Sequence, residues 1–360
     1  MRKLVRPSET VGHERNNLNA IRLAMALLVV WSHSFAIHLG SERTEWVSLL
    51  LSGVFNAGNV AVMAFFIVSG FLIAQSFERS SSVKSYMLKR VRRIYPGYMV
   101  ATTISGFVFV WLIAPTPPFA FAKAFAMNLL LRNYAPSGSH DLLQINGALW
   151  SIPFEFWCYI GVVGLGVYGR KRWVVFPLLL SIVALHVGLD ILGKKPGLGV
   201  VGTIFGWPYL WTRMAPCFLL GMGAYAFREE LPRSRFLLIG LFVATVLSCA
   251  LNADLGFVVA LPSLAYAIFY VAFSELPFHN FARSVGGDYS YGVYLYGYLI
   301  QKSLQLTIAR TWSLAEFMAA SFVLAVVAGI ASWWLVERRF MVVTRRTSDL
   351  GSPSNSFAPR

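Results

Sequence analysis

Charge is scarce in this sequence, and so is cysteine. Only 13% of the 360 residues are Asp, Glu, Lys or Arg, too few to solvate the surface of a globular domain of this length. Acidic residues are the scarcer of the two signs, 16 against 31 basic, leaving a formal net charge of +15. Three cysteines, Cys158, Cys217 and Cys249, lie far apart in apolar stretches, which excludes a disulfide framework and offers no zinc-ligand spacing. No metal is expected. HExxH and GxSxG are both absent, so zinc-protease and serine-hydrolase readings have no anchor. Internal repeats are missing as well, and with them the inverted halves of many transporters.

What fills the chain instead is apolar: 57% hydrophobic and 15% aromatic residues, with a mean hydropathy of +0.61. Runs near the roughly 20 residues needed to cross a bilayer recur along the whole length. The expected fold is all-α, a polytopic membrane helix bundle of about ten transmembrane helices, at about 18–39, 53–76, 97–114, 148–168, 173–190, 203–227, 236–251, 255–273, 289–309 and 314–336. Residues 1–17 read as a cytosolic arm, 18–340 as the membrane domain and 341–360 as a flexible cytosolic tail. No cleaved leader is expected, because the first apolar run is long and contains Arg22 and His33. With both termini in the cytosol, most basic residues fall on inner segments, among them Lys89, Arg90, Arg92, Arg93, Arg172, Arg228 and Arg233. The charge therefore fits membrane lipids and not nucleic acid. Two GxGxxG spacings, "GLGVYG" (164–169) and "GLGVVG" (197–202), do not join a strand to a helix, which a dinucleotide site requires. The piece "FAFAKAFAMNLLL" in the longest outer connection is expected to lie along the interface or re-enter.

Ionisable groups inside apolar runs need a reason, since a bilayer penalises them by about 2.5 to 3.5 kcal/mol each. Arg22 and His33 lie eleven residues apart, about 16 Å along one helix face, with Arg22 near the inner edge and His33 beyond the midplane. Glu155, in "LWSIPFEFWCY", sits in the outer half of its span and Arg213 in the sixth. Ser69 lies in "FFIVSGFLI", and Tyr291 in the polar run "DYSYGVYLYGYLI". "KRVRRIYPGY" holds Lys89, Arg90, Arg92 and Arg93 just before Pro96, either a stop-transfer cluster or a grip on phosphate oxygens. Glu337 is expected to form an interfacial cluster with Arg338 and Arg339.

Together these stretches, with the terminal "WWLVERRF", resemble the acyltransferase family 3 membrane proteins over about 320 residues. One departure is Gly297 in "YLYGYLI", where family members often carry histidine. The resemblance implies a bacterial cytoplasmic-membrane O-acyltransferase. Its donor would be acyl-coenzyme A, acetyl-CoA first and succinyl as an alternative. The acceptor would be a hydroxyl of a surface or exported polysaccharide or lipid-linked sugar, with polysaccharide-assembly proteins or a second copy of the chain as further partners. Under that reading Arg22 and Lys89, Arg90, Arg92 and Arg93 hold the donor's phosphates. His33 is the general base, Glu155 orients it, and Ser69, Arg213 and Tyr291 line the site. A small-molecule or lipid acceptor, or a proton-coupled transporter, are the alternatives.

Overall fold

A computed structural model describes residues 16–113, 115–136, 142–166, 169–197, 205–275 and 286–341. The expected arm and tail lie outside these residues except for 16, 17 and 341, as does most of "GLGVVG". Helices make up the fold, and no strand occurs among the described residues. In chain order they are α1 (Leu18–Ser34), running on into a π-helical turn Phe35–Leu39, α2 (Trp46–Leu50), α3 (Ala57–Glu78), α4 (Val83–Leu112), α5 (Pro118–Leu129), α6 (Leu142–Ile145), α7 (Ser151–Leu165), α8 (Val175–Ile191), α9 (Pro208–Ala226), α10 (Arg235–Leu251), α11 (Ala253–Ala272), α12 (Ser290–Thr307) and α13 (Leu314–Ser332), which continues as a π-turn Trp333–Glu337.

Seven of them are long and apolar enough to cross a membrane: α1, α3, α4, α7, α8, α11 and α13, four of these with their flanking turns. α10 is short at 17 residues. α9 and α12 are polar for spanning helices, and α12 is largely buried, surrounded by protein and not lipid. The outer helices show the complementary pattern. Leu180, Ile191, Phe236, Leu251 and Val323 are exposed, an apolar belt that suits hydrocarbon and would aggregate in water.

α3 is the central post, packed by α1, α4, α7, α9 and α11. Its approach to α9 is set by glycine: a Cβ on Gly70 would lie 2.0 Å from the Phe218 carbonyl oxygen, and one on Gly221 1.9 Å from that of Ile67. Small residues let backbones touch where no hydrophobic drive between helices exists. The start of α1 is stapled to the end of α11 by Asn17, whose backbone N–H donates to Ala272 O at 2.8 Å and whose side chain donates to Val271 O and Ser274 O, each at 2.9 Å.

One boundary differs from expectation in a way that matters for the site. The third long helix begins at Val83 and not at 97, carrying Pro96 in its interior. Ser82 caps it, its Oγ accepting from Ser85 N–H at 3.1 Å, and surrounding helices tolerate the one backbone donor that Pro96 removes. The basic cluster is therefore helical. Lys89, Arg90 and Arg93 share one face through their i, i+3 and i+4 relations, and Arg92 falls to the flank. "FAFAKAFAMNLLL" forms most of the short helix α5, with Phe119 and Phe125 exposed.

Candidate functional site

Besides an apolar cavity of about 250 Å³ lined by α8, α9, α10 and α11, the described residues enclose two cavities with charged linings, one above the other along α1. The larger, about 400 Å³, opens at the end where α1 starts. Five cations line it, Arg22, Lys89, Arg90, Arg93 and Arg228, against two carboxylates, Glu155 and Asp288. Net positive charge in a partly enclosed site favours an anionic ligand.

The two carboxylates have different tasks. Asp288 Oδ2 accepts from Arg22 Nη1 and, at 2.7 Å, from Arg93 Nη2, while Oδ1 accepts from Ser290 Oγ at 2.5 Å. Arg93 Nη1 also reaches Glu337 Oε2 at 3.4 Å, and Glu337 Oε1 accepts from Ser332 Oγ at 2.9 Å. One buried network thus ties α1, α4, α12 and the end of α13. Burial alone would push the Asp288 carboxyl up, but Arg22 and Arg93 outweigh it and hold it well below the usual carboxylate range. Glu155 binds hydroxyls instead. Its Oε1 accepts from Ser69 Oγ at 2.6 Å and from Tyr159 O–H, and the Arg90 guanidinium lies over the Tyr159 ring at 5.9 Å. Arg90 Nη2 donates to Ser76 Oγ at 3.1 Å, but its Nε has no partner, and neither has Arg228 Nε.

The smaller cavity, about 130 Å³, holds His33, Glu42, Asn56, Asn59, Trp150, Arg213 and Tyr294. His33 stands out among the described histidines. His38 uses both ring nitrogens, on Gln305 Oε1 at 3.1 Å and Trp312 O at 2.9 Å, and His186 Nδ1 meets Thr212 Oγ1 at 2.8 Å. His33 Nδ1 is buried with no partner, and its ring stands edge-on to Tyr298 with centroids 4.9 Å apart. The π-turn just beyond it widens α1, a feature that recurs at functional sites.

α12 contributes to both cavities: its Tyr291 lines the larger and its Tyr294, three residues on, lines the smaller. Tyr294 is pinned there by Ser151, with its O–H and the Ser151 hydroxyl 2.6 Å apart, and by the Phe65 ring at 5.5 Å. Gly297 fits closely: a Cβ there would come within 2.8 Å of Val30 Cγ2, so a histidine would require the Val30 side chain or α12 to shift.

Several expectations need correction. Glu155 does not meet His33; it opens on the larger cavity, its Oε1 is taken by Ser69 and Tyr159, and no carboxylate orients His33 Nδ1. Arg92 does not line either cavity. Glu337 pairs with Arg93 and not with Arg338, whose guanidinium lies over the Trp334 ring. Arg22 and Arg93 line the larger cavity but are already committed to Asp288. Ser69 and Tyr291 line that cavity, while Arg213 lines the smaller one, against the Phe55 and Phe257 rings and with no ion pair among the described residues. Asp288, Tyr159, Arg228 and Glu42 escaped sequence reasoning. The one signal for Asp288 was an acidic residue at the head of a span whose facing helices each carry an arginine.

The architecture is that of a multi-pass helical membrane protein with polar chemistry sealed between its helices. The family model described as an acyltransferase domain, that of acyltransferase family 3, matches residues 15–338, so the chain belongs to that family and is an O-acyltransferase. It is 29% identical to an O-acetyl transferase of Shigella phage Sf6 over 91% of this chain and 97% of the relative. It is also 30% identical to nodulation protein 10 of Rhizobium leguminosarum bv. viciae, over 48% of this chain and 50% of the relative, and 28% identical to the acyltransferase MdmB of Streptomyces mycarofaciens, over 40% and 37%. No solved structure matches significantly.

Proposed function

We propose that this O-acyltransferase moves an acetyl group from acetyl-CoA to a sugar hydroxyl of a surface or exported glycan at the bacterial cytoplasmic membrane. The excess of cations over carboxylates around the larger cavity carries this reading. Coenzyme A is a polyanion with a thin arm ending in a thioester. Its phosphates suit Lys89, Arg90 and Arg228, whose charge Asp288 does not neutralise, and the ordered Arg22–Asp288–Arg93 network forms the adjoining wall. The arm would run along α1 toward His33, about 16 Å from Arg22 by helical rise. On this reading the Tyr294 ring, which lines the smaller cavity and packs on Phe65, moves to let the arm pass. His33 then takes the proton from the acceptor hydroxyl as that oxygen attacks the thioester carbon; the ester C–O bond forms, the C–S bond breaks, and coenzyme A leaves as the thiol after receiving the proton back from the imidazolium.

Acetyl is favoured over succinyl by the likeness to an O-acetyl transferase. Mass spectrometry of glycans from strains with and without the gene tests both group and acceptor: loss of acetyl esters on deletion is expected, and unchanged glycans would overturn the reading. Donor binding can be tested separately. Lys89→Ala, Arg90→Ala and Arg228→Ala should each weaken coenzyme A binding about tenfold, as expected for a charge-assisted hydrogen bond, and binding should weaken as salt rises. Equal, salt-independent affinities by calorimetry would place the donor elsewhere.

The reading also requires the larger cavity to face the cytosol, with ten spans and both termini inside. Reporter fusions after residues 80, 140, 171 and 230 should report inside, outside, inside and inside. An outside signal at 80 would put the basic cluster on the wrong side for a cytosolic donor.

A second reading rests on Glu155, which occupies the donor's cavity while His33 does not. There Glu155 would be the base, and transfer would occur in the larger cavity.

A further inference from the structure

The smaller cavity holds more unmet polarity than one general base accounts for. Arg213 makes no ion pair and no side-chain hydrogen bond among the described residues. Its Nε is buried without a partner, and its guanidinium is steadied only by the Phe55 and Phe257 rings at 5.8 and 5.6 Å. A guanidinium held by ring faces is fixed in place with its donors free, the arrangement of a binding group and not of a structural salt bridge. Glu42 lines the same cavity, yet its carboxylate neither touches Arg213 nor accepts a hydrogen bond among the described residues. Two opposite charges that share about 130 Å³ without meeting leave room between them for a ligand that donates to one and accepts from the other. A sugar hydroxyl does both.

The other walls fit the same ligand. Trp150, on the short 3-10 turn Gly147–Trp150 at the head of α7, lines the cavity, and an indole suits the C–H face of a pyranose. His33 lies on the same cavity, with Tyr298 edge-on to its ring. The Oδ1 atoms of Asn56 and Asn59 are taken, since each accepts from the other's backbone N–H in capping α3, which leaves their amide N–H groups as further donors. The cavity's charges cancel, so nothing in it selects an acidic sugar over a neutral one.

We infer that Glu42 and Arg213 are the acceptor-specificity residues of this enzyme. Glu42 accepts hydrogen bonds from one or two adjacent hydroxyls of a neutral pyranose unit and Arg213 donates to a neighbouring oxygen, holding the ring on Trp150 with one further hydroxyl at His33. This rests on the acyl-transfer reading above and adds the acceptor's class and its contacts.

The test uses the full chain in detergent, radiolabelled acetyl-CoA and, as acceptor, surface glycan extracted from a strain lacking the gene. Glu42→Gln and Arg213→Met should each raise the glycan concentration at half-saturation about tenfold or more, in proportion to one charged hydrogen bond lost. Half-saturation by acetyl-CoA and the thermal midpoint should stay close to the parent. Arg213→Lys guards against misfolding of the methionine variant. It keeps the charge but loses the fork, and should show a partial rise. Arg43→Gln, a change at an exposed neighbour outside the cavity, should alter neither. Unchanged acceptor half-saturation in folded variants, or a rise matched in the donor's, would overturn the assignment while leaving acyl transfer standing. Absence of label transfer by the parent itself would instead remove the acyl-transfer reading.

Discussion

Acyl transfer is expected to fall by at least a hundredfold in His33→Ala, with yield, thermal midpoint and coenzyme A affinity close to the parent. A positioned general base contributes roughly 10²- to 10⁴-fold, and a base acting on the acceptor contributes nothing to donor binding. The structure makes the separation sharp. His33 Nδ1 holds no hydrogen bond whose loss would loosen the fold, whereas the equivalent change at His38 would cut two, to Gln305 and Trp312. His38→Ala should therefore lose stability first and activity only with it. Single-turnover transfer from labelled acetyl-CoA on size-homogeneous protein checks both. Near-normal turnover in folded His33→Ala, together with inactive Glu155→Gln, would move the chemistry to the larger cavity and favour the second reading.

The largest loss of stability is expected at Asp288. Asp288→Ala leaves the Arg22 guanidinium without its carboxylate and Arg93 with Glu337 alone, all at side chains no more than 19% exposed. Removing one partner of a buried pair costs about 3–5 kcal/mol, because an uncompensated charge is left behind. A large drop in thermal midpoint should follow, and Arg22→Met combined with Asp288→Ala should recover part of it. A double-mutant cycle measures that coupling, and additive losses would show that the pair is not one unit. The pH dependence has a definite sign. Because the folded protein holds the Asp288 carboxyl below its ordinary value, its contribution is complete above the unfolded-state value near about 4 and is lost as pH falls toward the lower folded value. From pH 8 to 5 this group should leave stability unchanged, and Asp288→Asn should flatten the acid limb below that.

Membrane residence and helical class follow from composition and run length, which are local quantities, so the apolar segments and their breaks could be read along the chain. Even there, Pro96 misled. A proline looks like a boundary in sequence, but packed neighbours let α4 run through it from Val83 to Leu112, and that continuity aims Lys89, Arg90 and Arg93 together while setting Arg92 aside. The family motifs pointed to Arg22, His33, Ser69, Glu155 and Tyr291 as candidate site residues. Which of them meet was not a local property. Glu155 and His33 belong to different helices, and the rotation of α7 against α3 commits Glu155 to Ser69 and Tyr159 in the larger cavity. Asp288, 266 positions from Arg22, becomes its partner because the starts of α1, α4 and α12 converge at one end of the bundle. The sequence by itself determined that charges would be buried in a membrane bundle, since hydropathy is additive along a helix. Tertiary structure alone decided their pairing, because an ion pair depends on distances of a few ångströms between segments whose separation in the chain carries no information about their separation in space.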